Sequence, residues 1–166
     1  QLRINSMREQ VTLNQTNFGI VAVRVAATIA EHFGGGVITN DQGVRHEADI
    51  FGKASSFMDY SGPVRGSDGR TVVNGITLFD HPANPNYPAK WHVREDGWMG
   101  PSLNRDQAIV LNENEPLSLR YQLHLHDGRL DSERAVGLNR SFAESLGWSV
   151  NKSTARHRAW EIKQIK

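Results

Sequence analysis

Residues 117–126, LSLRYQLHLH, alternate apolar and polar side chains without a break. A period of two belongs to an extended strand, whose side chains point to opposite faces in turn, and a helix cannot gather such a pattern on one side. Leu117, Leu119, Tyr121, Leu123 and Leu125 are therefore expected on a core face, with Ser118, Arg120, Gln122, His124 and His126 on a polar one. Any fold this chain adopts has to pair that strand with others.

The partners are legible nearby. Residues 71–79, TVVNGITLF, form a β-rich run whose Gly75 suggests a bulge or a close backbone approach. Residues 55–60 alternate, and residues 90–94 place Trp91 and Val93 opposite Lys90, His92 and Arg94. The β-branched run at 17–27 reads as a strand buried on both sides and interrupted by Arg24, while 48–51 reads as a short strand. Gly34, Gly35 and Gly36 read as a hairpin connection, and Gly62 and Pro63 open a long turn. Trp98 falls in a loop over residues 97–101. Helical spacing occurs near the C-terminus, where Asp131 caps a segment carrying Ala135, Leu138, Phe142 and Leu146, with Gly147 as the stop. The expected fold is all-β, an antiparallel β-sandwich of supersandwich or jelly-roll type with one short helix near the C-terminus. Its 166 residues suit a single domain over 1–166.

Chemistry is concentrated in residues 79–94, FDHPANPNYPAKWHVR, which hold Asp80, His81, Asn84, Tyr87, Lys90, His92 and Arg94. Pro82, Pro85 and Pro88 recur every third position, as in a polyproline II path, which would set His81, Asn84 and Tyr87 along a second edge. Histidine beside a carboxylate is the usual equipment for moving a proton near neutral pH, and arginine offers a planar fork to a hydroxyl or carboxylate. His81 is thus the candidate general acid or base, Asp80 its orienting partner and His92 the second catalytic candidate. Arg94, Arg120, Asn84, Tyr87, His124 and His126 are candidate substrate contacts. His124 and His126 also carry the spacing of a divalent-metal pair, the one cofactor the residues suggest; without it none is implied. The competing reading is that Asp80 and Arg94 pair only to hold the loop.

Charge narrows the partners. Nineteen basic and eighteen acidic residues give a net charge of +1 with no basic block, which argues against nucleic acid. No apolar run approaches the roughly 20 residues of a membrane span, and no secretory signal pattern is present. The absence of cysteine excludes disulfides and leaves the compartment open. Because the sequence opens on Gln1 without methionine, it is expected to be a portion of something longer.

Three stretches, FDHPANPNYPAKWHVREDG, LSLRYQLHLHDG and DIFGKASSFMDYSGP, together resemble the soluble PmoA-like family of bacteria, named for a methane oxygenase subunit. That family carries a similar DHPxNPxxPxxWHVRxxG core, a DYSG segment preceded by Trp or Phe, and a late LxLRYxLxxHxG strand. The likeness covers most of residues 18–128; Phe57 stands where the family often has tryptophan, and the helix after Gly128 lies outside the shared pattern. The resemblance implies a β-sandwich of the kind used by sugar mutarotases and other carbohydrate-active proteins. It also implies a C-terminal portion of a longer member, with a second chain completing the sheet if strands are missing. The expected function is binding or processing of a small carbohydrate or sugar derivative, as a mutarotase-like or glycoside-processing enzyme. The alternatives are a noncatalytic glycan- or protein-binding module and a metal-dependent, cupin-like enzyme using His124 and His126.

Overall fold

The computed structural model describes residues 1–165 and is built mainly of antiparallel strands in a sandwich-like arrangement. In chain order the elements are β1 (Leu2–Ile4), β2 (Gln10–Leu13), β3 (Val23–Arg24), α1 (Glu31–Gly34), β4 (Val37–Asn40), α2 (Glu47–Ile50), β5 (Phe57–Arg65) and β6 (Thr71–Asp80). There follow β7 (Lys90–Val93), β8 (Trp98–Ser102), β9 (Ile109–Asn112), β10 (Leu117–Leu119), β11 (Tyr121–Asp127), α3 (Ser132–Glu144), β12 (Trp148–Lys152) and β13 (Trp160–Gln164).

A four-stranded sheet in the order β11-β6-β5-β4 faces a three-stranded sheet in the order β3-β8-β7. Between them Ile38, Met58, Tyr60 and Leu78 meet Trp91, Val93 and Met99, all with essentially no exposed surface. Each such side chain contributes on the order of 2 kcal/mol by leaving water, so this layer dominates the fold. Its polar tips are satisfied: Trp91 Nε1 donates to the Ser55 carbonyl at 2.8 Å, and the Tyr60 hydroxyl donates toward the Arg94 and Glu95 carbonyls at 3.1 Å. Burial pushes the Tyr60 phenol up to about 12.

The other face of the four-stranded sheet is covered by α3, whose Ala135 and Phe142 pack on Phe57 and Phe79. Asp131 caps this helix by accepting from the Arg134 amide at 3.0 Å, as its sequence predicts. The pairs β1–β10 and β2–β9 enclose a smaller cluster around Leu103, Leu111, Leu117 and Leu119.

Several local expectations are corrected. Only Val23–Arg24 of the 17–27 run is strand, joining the three-stranded sheet as its edge β3, and Phe18 and Ile20 before it are exposed, Phe18 lying against His92. Residues 48–50 belong to a one-turn helix that Phe51 caps, and the three glycines close α1, with Gly35 at φ 72°. Gly62 and Pro63 lie inside β5, and Trp98 begins a strand. The proline stretch is a chain of turns, held by an Asn84 amide to His81 carbonyl bond of 2.8 Å that a polyproline II path lacks. The 117–126 alternation is cut at Arg120, and Leu123 and Leu125 are exposed on the core side of the sheet because the opposing sheet does not extend over edge strand β11.

Candidate active site

The register of the four-stranded sheet brings a polar cluster together beneath α3. Thr77 pairs with Asp59 on one side and His124 on the other, and Gly75 pairs with Ser61 and His126. Asp59, Thr77 and Ser61 are all buried in what would otherwise be an apolar layer. A lone carboxylate could not be held there; this one accepts from Thr77 Oγ1 at 2.9 Å, from Ser61 Oγ, and from His126 Nε2 at 2.7 Å.

His126 reaches Asp59 across an intervening strand, and Gly75 makes that possible. A Cβ at position 75 would sit 2.4 Å from His126 Cε1 and 2.7 Å from Ser61 Oγ, so the missing side chain is the slot the imidazole occupies. The close approach expected of Gly75 is therefore the device that builds the His126–Asp59 pair. With Asp59 accepting, Nε2 carries the proton and Nδ1 presents a lone pair.

His124 stacks against His126 with ring centroids 5.8 Å apart. Its Nε2 is buried with no hydrogen-bond partner among the described residues. Burial first, then the Arg134 and His126 charges, hold its pKa below the ordinary histidine value. Both imidazoles line a cavity of about 110 Å³ completed by Arg129 and Arg134, by Asp127 and Asp131, and by the apolar Leu130 and Ala135. Two cations, two carboxylates and two imidazoles give the cavity both donors and acceptors beside a small apolar lining.

Asp80, His81, Asn84 and Arg120 are brought together elsewhere, as a clamp. Asp80 is buried and accepts from the His81 amide at 3.0 Å, Asn84 Nδ2 at 2.7 Å and the Ala89 amide at 3.1 Å. Burial raises its pKa, against those three bonds. Asn84 also accepts from the Arg120 amide and donates to the Arg120 carbonyl, both at 2.7 Å, which is why the long strand breaks there. The Arg120 guanidinium donates to the Ser145 carbonyl and hydroxyl at the end of α3. His81 accepts from the Ala83 amide at 3.0 Å through Nδ1 and donates to the Phe142 carbonyl at 3.1 Å through Nε2. Both ring nitrogens are engaged by backbone, so this geometry leaves His81 no free nitrogen for an acid or base role. Tyr87 is partly buried in the same turns.

His92 and Arg94 are not brought to that group. Asp80 ends β6 and His81 follows it, whereas His92 projects from the outer face of the three-stranded sheet, stacked on Phe18 at 4.6 Å and edge-on to Phe51 at 5.2 Å. Arg94 is exposed and pairs with Asp96 at 3.3 Å, not with Asp80. Arg24 shares Asp96 and lies 5.6 Å over the Trp98 ring. The expected hollow joining all four residues does not form. Among the described residues no group of three or more His, Asp or Glu side chains is placed to hold a metal ion, and His126 commits Nε2 to Asp59.

Three histidines share one consequence. Burial is the largest cause lowering the pKa of His81, His92 and His124, aided by Arg120, Arg94 and Arg134 respectively. The unfolded chain then binds these protons at higher pH than the folded one, so stability is complete above the ordinary value of about 6.5 and is lost as pH falls below it. Calorimetric melting is expected to show a falling Tm between pH 7.5 and 5.5; a flat profile would contradict the neutral, buried state of these rings. Asp80, with its raised pKa, works in the opposite sense, since its ionisation costs stability as pH rises.

Comparison with known proteins adds one finding. A family model described as a family of unknown function matches residues 1–139. No curated protein and no solved structure matches the chain.

Proposed function

The chain belongs to this family of unknown function, DUF6807, and from its own geometry we propose that the cavity beside His124 and His126 binds a small sugar or sugar derivative. His126, held by Asp59, exchanges a proton with a ligand hydroxyl there. The observation that carries this reading is the buried 2.7 Å His126–Asp59 pair bordering a cavity lined by two arginines and a second, unpartnered imidazole.

Three features support a hydroxylated ligand. The wall carries both donors and acceptors, as a polyol requires, whereas a simple anion would leave Asp127 and Asp131 opposed. Leu130 and Ala135 offer an apolar floor to the C–H face of a ring. At about 110 Å³ the space is smaller than the roughly 300–1,000 Å³ of drug-sized pockets, which limits the occupant to a single small molecule. The resemblance to PmoA-like proteins favours the same ligand class. Compared with His81 and His92, His126 combines a carboxylate partner with an uncommitted ring nitrogen beside the cavity.

The test is a titration of the chain with monosaccharides, uronic acids and aldonic acids, followed by calorimetry and by the imidazole C–H resonances. A binding sugar is expected to shift His124 and His126 and leave His92 unmoved. His124→Ala is expected to weaken binding at least tenfold, about 1.4 kcal/mol, with Tm nearly unchanged. Saturation that moves His92 instead, or affinity indifferent to both His124→Ala and His126→Ala, would overturn the assignment.

A further inference from the structure

The C-terminal hairpin carries a surface that the rest of the molecule meets only at its Trp148–Gln164 end, where these two residues wall a cleft shared with Arg120, Leu138 and Phe142. In β12 and β13 the register pairs Trp148 with Gln164, Val150 with Ile162, and Lys152 with Trp160. Alternation places these six residues on one face. Trp148, Val150, Trp160 and Ile162 on that face are 53, 64, 58 and 69% exposed, and Leu146 beside it is exposed as well. The opposite face holds Ser149, Asn151, Glu161 and Lys163, with a Glu161–Lys163 ion pair at 2.7 Å. The hairpin is thus amphipathic with its apolar side outward. A two-stranded hairpin is marginal in water unless such a face is covered.

We propose that this face docks on the same face of a second copy across a twofold axis. Two arguments select that occupant. The first is shape. The tryptophans occupy one diagonal of the face, Gln164 and Lys152 the other, and Val150 and Ile162 the centre. A twofold axis in the plane of the contact, whether along or across the strands, exchanges the two diagonals. Each indole of one protomer then lands on a slender polar side chain of its partner rather than on another indole. Against Lys152 it covers the aliphatic stem and meets the ammonium through its ring face. The aliphatic centre packs on itself. Few apolar faces are self-complementary under both operations.

The second argument is area. Two half-exposed tryptophans with Val150 and Ile162 leave on the order of 500 Å² of apolar surface per protomer. Removing both copies' share takes about 1,000 Å² from water, which reaches the threshold of a specific interface. Closed twofold pairing is also the commonest way for one patch to satisfy itself.

The test is sedimentation velocity of the whole chain from a few to about a hundred micromolar, with tryptophan emission recorded on the same samples. A dimer is expected, with emission moving to the blue as concentration rises. Ile162→Lys is expected to abolish it and the milder Val150→Thr to raise its dissociation constant several-fold, with the cooperative melting of the sandwich, whose core contains no hairpin residue, retained. Leu125→Lys, which alters the exposed leucine of β11 instead, is expected to leave the dimer intact. A chain monomeric throughout, or a dimer abolished by Leu125→Lys but not by either hairpin substitution, would overturn the proposal.

Discussion

Asp80→Ala is expected to lower the free energy of unfolding by about 3 kcal/mol, read from the urea midpoint at constant slope. The carboxylate gathers three donors, the amides of His81 and Ala89 and the side chain of Asn84. Alanine leaves the two backbone amides without an acceptor in a site closed to water, each costing about 1–3 kcal/mol. Relief from burying the Asp80 charge offsets part of this, since burial is what raises its pKa. Asp80→Asn is expected to fall between, because one oxygen can serve one oxygen's donors while the amide nitrogen faces an N–H. The consequence also travels along the chain: Asn84 holds both backbone groups of Arg120, and Arg120 holds the end of α3. Loss of the acidic side chain therefore loosens the helix that roofs the candidate cavity. A stability change below 1 kcal/mol would show that water replaces the carboxylate and that the clamp is dispensable.

That clamp explains how a loop crowded with chemical residues can be structural. Turns need side-chain partners for backbone groups that no ladder satisfies, and Asp, Asn and His supply them at short range. From sequence alone His81 with Asp80 is indistinguishable from a catalytic pair, because the decisive partners, the Phe142 carbonyl and the Ala83 amide, appear only after folding. The strands themselves were legible. Residues 71–79 form the expected strand, and the alternation at 90–94 puts Trp91 and Val93 in the core, since extended period-two patterning is a local property. Short helices were not, because four residues of α2 carry no measurable period. Nor was the exposure of Leu123 and Leu125, which depends on how far the opposing sheet extends. His124 and His126 were identified from alternation and Gly75 from its place in a strand. Asp59 was missed, for in FMDYSG it is one polar residue among several, and only the β11-β6-β5 order sets it beneath His126.

Asp59 is accordingly the residue whose loss should be felt in both stability and function. Asp59→Ala is expected to destabilise the fold by several kcal/mol, because three donors lose their acceptor at roughly 1–3 kcal/mol for each that is buried. It strips the acceptor from the buried Thr77 and Ser61 as well as from His126 beside the cavity. Thr77→Val, which removes one donor and leaves the carboxylate its other two, should cost only about 1 kcal/mol. The comparison separates the network from the packing, because valine matches threonine in shape. Chemical denaturation measures both. Function divides differently: Thr77→Val keeps His126 in place and should preserve sugar-induced shifts of its resonances, whereas Asp59→Asn, whose carbonyl can still accept from the ring N–H while its NH2 turns to the Ser61 hydroxyl, holds the ring but removes the negative charge behind it and should diminish them. Equal losses from Thr77→Val and Asp59→Asn in ligand response would mean that the cluster merely fills the sheet, and that the imidazole beside the cavity owes nothing to its carboxylate.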